Sequence, residues 1–265
     1  MALRELREQK PPSPSAGTMT PQHFALASLL PLAATAPLVV LSQFKMPVMQ
    51  WRYIGVAVAL FILSSLSLYL PVMVPVFQLG HYAWTGKIIS AGVVYIVLLN
   101  WRSAAPGREY LTITQRIEHP RTAALSGVLL AVIPIALWLR ADSPTVVIPG
   151  WEQLLFQATL PGIDEEACFR AGIMGCLLAA FRNDPKNRAD YISAAIRAVT
   201  ISSALFGFAH GLSIDHRFEM HFNLFAVLLT GTVGALLAML TISTGSIVLP
   251  IVAHNLLNVV LSFQG

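Results

Sequence analysis

Three polar motifs interrupt apolar stretches in the second half of the sequence. The motifs are E-E-x-x-x-R at Glu165, Glu166 and Arg170, F-x-x-x-H at Phe206 and His210, and H-x-x-x-N at His254 and Asn258. Ionisable side chains are costly at membrane depth, so in an apolar segment they mark function by default. Carboxylates, imidazoles and an amide can activate a water molecule by general base catalysis and then stabilise an oxyanion.

The spacing within the first motif separates the roles of its two glutamates. On a helix, Glu166 and Arg170 lie four residues apart with the acid first, the favourable order for an intrahelical ion pair. Glu165 points about 100° away from Glu166 and is therefore predicted to be free to act as a base. His210 immediately precedes Gly211, and from such a helix end an imidazole can share the activated water with Glu165.

His254 and Asn258 are four residues apart and so share one face of a helix. Both can donate hydrogen bonds, and two donors fixed on one face are typical of an oxyanion hole. Each motif taken alone also has a structural interpretation, since a single membrane His or Asn more often holds helices together. Asp164, at the start of a helical segment, is interpreted as a cap or first-turn acid.

The composition indicates what kind of protein positions these groups. Of the 265 residues, 55% are hydrophobic and 11% are charged, and the mean hydropathy is +0.67, values outside the range of ordinary soluble domains. Since a helix needs about 20 apolar residues to cross a bilayer, the sequence predicts an all-α, polytopic membrane helix bundle of about eight transmembrane helices. The net charge of +4 suits lipid headgroups, so the lipid bilayer is a predicted partner and nucleic acid is not.

Hydrophobic runs place the individual helices. The predicted helices are His23–Phe44, Tyr53–Pro75, Ile88–Trp101, Ala123–Leu139, Trp151–Phe181, Tyr191–His210, Phe222–Thr241 and Gly245–Phe263. The fifth is too long for one straight span, and Pro161 with Gly162 is predicted to break or kink it.

The chain is predicted to have one folded domain. Residues 1–22 are polar and rich in proline and are predicted to form a disordered N-terminal tail. Residues 23–265 are predicted to form a transmembrane domain with its motif-bearing core at 150–262. An integral, multi-pass membrane location follows, in the cell inner membrane if the source is bacterial.

The three motifs, in this order on separate hydrophobic helices, resemble the CPBP family of intramembrane proteases. That family includes the type II CaaX prenyl endopeptidases and bacteriocin-processing or immunity relatives, and the resemblance covers roughly residues 150–262. It implies an eight-helix membrane fold with a glutamate protease centre. The roles that it implies are a catalytic base with its helper, a supporting pair and two oxyanion-stabilising residues: Glu165 with His210, Glu166 with Arg170, and His254 with Asn258.

The sequence therefore predicts an intramembrane endopeptidase that hydrolyses a peptide bond of a membrane-associated protein or peptide. Two alternatives stay open at this point. One is a non-catalytic immunity or scaffold protein on the same fold, in which the polar residues only join helices. The other is a metal-dependent membrane hydrolase with four ligands of the kinds that divalent metals accept: Glu165, Glu166, His210 and His254.

Direct glutamate chemistry, without a cofactor or metal, is the favoured mechanism. The sequence contains neither the H-E-x-x-H motif of zinc proteases nor a G-x-S-x-G motif. The guanidinium of Arg170 beside the carboxylates opposes a divalent cation. The substrate stays open between a prenylated CaaX protein, a peptide precursor and a C-terminal sorting tag, and Ile214 stands where the prenyl endopeptidases often have Asn.

Overall fold

The computed structural model describes residues 20–43, 49–101, 105–140, 146–184, 186–215 and 217–264, and these residues are almost entirely helical. The predicted tail falls outside them except at its end, where the first helix begins at Pro21. The helices before the middle of the chain are α1 (Pro21–Ser42), α2 (Trp51–Met73), α3 (Trp84–Asn100), the single turn α4 (Ala105–Arg108) and α5 (Pro120–Leu139).

The second half of the chain contains a helical stretch in four parts, a small hairpin and three more helices. These elements are α6 (Trp151–Gln157), α7 (Leu160–Glu166), a π-helical segment (Ala167–Met174), α8 (Gly175–Phe181), α9 (Arg188–Gly211), β1 (Leu212–Ile214), β2 (Met220–Phe222), α10 (Leu224–Thr244) and α11 (Val248–Ser262). Strands β1 and β2 pair antiparallel.

The architecture is an all-α polytopic membrane bundle, as predicted. Helices α1, α2, α5, α9 and α10 are each long and apolar enough to cross a bilayer, while α3 and α11 are shorter apolar helices. The four-part stretch adds a further helical rod through the bundle. Large apolar side chains on the outer faces are exposed, for example Ile96, Leu125 and Ile135, which is the pattern of helices that face lipid.

The four-part stretch breaks three residues earlier than predicted. Helix α6 ends at Gln157, and Thr159 leaves the helical region with φ −130° and ψ −76° before α7 begins. Pro161 lies in the first turn of α7, where its missing N–H removes no hydrogen bond. Proline therefore starts the second helix and does not break it from within.

The π-helical segment Ala167–Met174 is at the centre of the core, and all of its residues are buried. Side chains of α2, α3 and α9 pack against it, including Leu60, Val94 and Phe206. A π-helix is rare and is frequently found at functional sites. Here it directly follows the two glutamates of the first motif, so the core and the polar motif share one element.

Close packing of α9 on α10 fixes the end of α9. A Cβ atom added to Gly207 would lie 2.5 Å from the carbonyl oxygen of Val227, and one added to Gly211 would lie 2.4 Å from Cγ2 of Val227. Small residues let helix backbones approach in membranes. These two glycines flank His210 and hold it at a fixed distance from α10.

Candidate active site

The three sequence motifs converge on one cavity inside the bundle. Glu165 from α7, His210 from α9, and His254 and Asn258 from α11 all line a cavity of about 110 Å³. The remaining two residues of the predicted site, Glu166 and Arg170, are 0% and 1% exposed and contact the cavity only through other side chains. The structure thus brings together all six residues that the sequence singled out.

Glu165 faces two imidazoles across a short gap. Its Oε2 lies 3.7 Å from Nε2 of His210 and 3.8 Å from Nε2 of His254. This oxygen has no hydrogen-bond partner among the described residues. The distances are too long for direct hydrogen bonds and suit a bridging water. One carboxylate oxygen therefore has two ring nitrogens within 3.8 Å, close enough for a single water to contact all three.

His254 is oriented by the second glutamate. Its Nδ1–H donates a hydrogen bond of 2.7 Å to Oε1 of Glu166, while Nε of Arg170 lies 3.1 Å from the other oxygen, Oε2. The predicted i, i+4 pair of Glu166 and Arg170 is therefore present. Since Glu166 takes the Nδ1 side of the ring, Nε2 of His254 is left to face Glu165.

Phe206 of the second motif acts through both its backbone and its ring. Its carbonyl oxygen accepts a 2.8 Å hydrogen bond from Nδ1–H of His210, which leaves Nε2 of the neutral ring as an acceptor directed toward Glu165. The Phe206 ring lies 4.4 Å from the His210 ring and 4.6 Å from the guanidinium carbon of Arg170. The F-x-x-x-H spacing therefore fixes the tautomer and the position of His210.

Lys87 is a site residue that the sequence reasoning missed. Its Nζ lies 2.5 Å from Oε1 of Glu165 and 3.0 Å from Oδ2 of Asp164, and the residue is 4% exposed. Arg170 leaves Glu165 free, as predicted, but Glu165 has a second cation as its partner that the sequence analysis did not predict. The helix was predicted to begin at Ile88, which left Lys87 in a loop, whereas α3 begins at Trp84.

Asp164 is not the helix cap that the sequence suggested. It lies inside α7, is 1% exposed and pairs with Lys87. A basic residue within an apolar helix was the available signal, because such a charge needs a buried partner at membrane depth. Asp164 and Glu165 are the buried partners of Lys87.

Asn255 joins the broken stretch to α11. Its Nδ2 donates to the carbonyl oxygen of Thr159 at 3.0 Å, and its Oδ1 accepts from the backbone N–H of Gly162 at 2.8 Å. A Cβ atom at Gly162 would lie 2.6 Å from that same Oδ1. One amide thus satisfies backbone groups on both sides of the helix break and sets the position of Glu165 relative to His254.

One group of side chains with metal-ligand geometry lies apart from this cavity. Asp215, Glu219 and His221 belong to the β1–β2 hairpin, and their donor atoms lie within 4.8 Å of one another. The backbone N–H of Glu219 is the main cause that lowers the pKa of the Asp215 carboxyl, with help from Arg217 and His221. At the cavity itself, the cation between the carboxylates is the ammonium group of Lys87.

Comparison with known proteins gives one family match, in the second half of the chain. The family described as type II CAAX prenyl endopeptidase Rce1-like matches residues 147–260. The matched range includes the three motifs, the helix break and the π-helical segment, while Lys87 precedes it. No curated protein and no solved structure matches the chain.

Proposed function

We propose, from the premise that residues 147–260 belong to the Rce1-like family and form a CAAX-protease-type membrane endopeptidase domain, that Glu165 and His210 activate the hydrolytic water. The observation that carries this proposal is the contact of Glu165 with two imidazoles: Nε2 of His210 and Nε2 of His254 lie 3.7 and 3.8 Å from its Oε2. A water bound there is within hydrogen-bond reach of a carboxylate and of an imidazole acceptor.

The first chemical step is attack of this water on the scissile carbonyl carbon. Glu165 removes one proton from the water as the new C–O bond forms, and Nε2 of His210 accepts a hydrogen bond from the other O–H. The carbonyl oxygen becomes an oxyanion. Holding base, water and carbonyl in one geometry lowers the barrier, because a bimolecular step becomes effectively unimolecular.

His254 and Asn258 stabilise that oxyanion. Both line the cavity, and they lie one turn apart on α11. The carboxylate of Glu166 accepts the Nδ1–H of His254 at 2.7 Å, so the ring stabilises the oxyanion from its other nitrogen, Nε2, in the form that carries a proton there. Arg170 balances the charge of Glu166, so Glu166 and Arg170 support catalysis without touching the substrate.

The tetrahedral intermediate then collapses with conservation of protons. The C–N bond breaks, and the proton that Glu165 took from the water passes to the leaving amine. One new chain end is a carboxyl group and the other is an amine, and Glu165 returns to its carboxylate form. A single carboxylate therefore acts first as a base and then as an acid.

Lys87 and Asp164 position Glu165. Lys87 holds Oε1 of Glu165, which leaves Oε2 to point at the imidazoles. Lys87→Met should lower kcat by about 10² and move its pH profile to higher pH, because two buried carboxylates lose their shared cation. Steady-state kinetics across pH measures both effects.

Lys87→Arg and Lys186→Met are the matched variants for that experiment. Lys87→Arg keeps a cation and should recover part of the rate, while Lys186 is exposed and its substitution should change neither kcat nor the pH profile. A Lys87→Met enzyme with the parent pH profile would show that Lys87 only fills space.

Metal-independent hydrolysis is the prediction that separates this mechanism from the metal-dependent alternative. Lys87 already lies between two carboxylates, and a divalent cation there would be repelled by it. The purified protein should keep its activity after exhaustive chelation, and Asn258→Ala should lower kcat by about 10²–10³, the usual loss on removing one oxyanion donor.

Inactivation by chelation, with recovery on adding one particular divalent metal, would overturn the mechanism and turn Glu165 and His210 into ligands. An Asn258→Ala enzyme with the parent kcat would remove the oxyanion role. If the parent protein cleaved no peptide, while substitutions at Glu165 changed only the partner that it retains, the non-catalytic alternative would replace the endopeptidase.

A further inference from the structure

Two glutamines on α6 line the active-site cavity without a use in the mechanism. Gln153 and Gln157 are four residues apart, so they share one face of α6, and both belong to the cavity wall. Gln157 is 8% exposed. Neither side chain makes a hydrogen bond to any described residue.

Most polar side chains of mostly buried residues are hydrogen-bonded within the protein, so a mostly buried glutamine without a protein partner is uncommon. Gln264 in the same protein shows the normal case: it is 9% exposed, and its Nε2 donates a 2.7 Å hydrogen bond to the carbonyl oxygen of Pro134. As a residue Gln157 is as buried as Gln264, yet its amide has no protein partner and is not among the fully buried side-chain atoms without one, so it keeps access to the cavity that it lines. This contrast points to a partner that enters from outside the chain.

The rest of the cavity wall indicates the chemistry of that partner. Aliphatic side chains form much of the wall, including Leu137, Val233 and Leu257. Glu165 is the only Asp, Glu, Lys or Arg among the described residues that line it. The cavity therefore suits a ligand with apolar side chains, and the two glutamines can form hydrogen bonds with neutral polar groups of that ligand.

We propose that Gln153 and Gln157 bind the main chain of an extended substrate segment, which rests on the proposed endopeptidase function. A side-chain amide both donates and accepts, as a peptide unit does. A helical substrate satisfies its own backbone, whereas an extended one in a dry cavity needs partners. Residues four apart on a helix are about 6.0 Å apart along its axis, close to the repeat of about 6.6 Å between alternate residues of an extended chain.

The assignment has a consequence for substrate choice. Amides that bind the main chain do not read side chains, so residues beside the scissile bond are selected only by the aliphatic wall. The substrate class is therefore an unfolded apolar segment, delivered with its backbone open. The arrangement resembles the addition of a strand to a sheet edge, with side-chain amides in place of the edge strand.

The test compares Gln153→Met and Gln157→Met with Gln264→Met, three exchanges of similar shape that remove an amide. The probe is an apolar octapeptide with a fluorophore, together with analogues in which one amide at a time is replaced by an ester. Its Kd is measured by anisotropy in nanodiscs with Glu165→Gln protein, and its cleavage is measured with the parent enzyme. Thermal unfolding is recorded for every variant.

Gln157→Met should raise the Kd by about tenfold, the value of one lost hydrogen bond, and should leave Tm unchanged or higher. Gln264→Met should lower Tm and leave the Kd unchanged. One ester position should weaken binding to the parent cavity and have no further effect in Gln157→Met, which identifies the paired peptide unit.

Three results would overturn the assignment. These are an unchanged Kd in both glutamine variants, a fall in Tm for Gln157→Met as large as that for Gln264→Met, and no binding of the peptide to the parent protein. If the peptide bound to the parent protein but was not cleaved, the endopeptidase function would be contradicted, while the binding role of Gln153 and Gln157 would stand. If the parent enzyme cleaved the peptide and both glutamine variants bound it normally, the endopeptidase function would stand and the binding role would be contradicted.

Discussion

Glu165→Gln is expected to lower peptide hydrolysis by a factor on the order of 10⁴ while the protein stays folded in detergent. The amide of the new glutamine cannot take a proton from the water that Oε2 of Glu165 and the two imidazoles are proposed to bind. It keeps the shape of the side chain and can still accept a hydrogen bond from Lys87, which also retains Asp164 as a partner. Cleavage of an internally quenched peptide and the thermal unfolding temperature measure the two effects.

Glu118→Gln is the matched control for this experiment. Glu118 is exposed, and the same exchange there should leave both turnover and Tm at the parent values. Near-parent turnover in Glu165→Gln would remove the base from the mechanism. Loss of the folded state in Glu165→Gln would show that the carboxylate is needed for structure. Glu165→Asp would then separate the two roles, because it keeps the negative charge and moves the carboxylate one methylene group away from the water.

Arg170→Ala is expected to lower the free energy of unfolding by about 3–5 kcal/mol, the usual cost of breaking a buried pair by removing one partner. Arg170 is 1% exposed, contacts Oε2 of Glu166 and lies over the ring of Phe206. Without it, His254 is the one partner that Glu166 keeps among the residues that the structure describes. Activity should fall as well, because the orientation of His254 depends on Glu166. Denaturant titration in detergent, with kinetics on the folded fraction, measures both.

A double variant separates the ion pair from simple packing. Glu166→Gln with Arg170→Met removes both charges and keeps most of the volume, so it should be more stable than Arg170→Ala alone. Arg121→Ala, on the exposed start of α5, should change stability little. If Arg170→Ala left folding and activity intact, the supporting role of the pair would be wrong.

The site was predictable wherever local spacing determines it. The i, i+4 rule finds the Glu166–Arg170 pair and places His254 and Asn258 on one face, and both features are present. The contact between His254 and Glu166 joins residues far apart in sequence, and no spacing rule reports such a contact. Only the packing of α7 against α11 creates it.

The errors also have physical causes. Lys87 was missed because its charge argued against a helix that in fact extends one turn further toward the N-terminus, a case where a tertiary ion pair outweighs local hydropathy. Proline inside a helical stretch usually predicts a break, which is why the sequence predicts one at Pro161 and Gly162, whereas Pro161 occupies the first turn of α7. The π-helical segment has no sequence signal, because its extra residue per turn is accommodated by core packing.

The ion pairs around the cavity also set a proton balance. Among the described residues, the buried acidic and basic side chains there have the formal charges of two cations and three carboxylates: Lys87, Arg170, Asp164, Glu165 and Glu166. Their formal charges sum to minus one, so a single additional proton on the imidazole pair makes the interior electroneutral. During hydrolysis the proton taken from water passes through Glu165 to the leaving amine, while the additional imidazole proton stays within this set of groups. Because no proton has to enter or leave this set during a turnover, we expect the rate of hydrolysis to be the same with and without a transmembrane voltage.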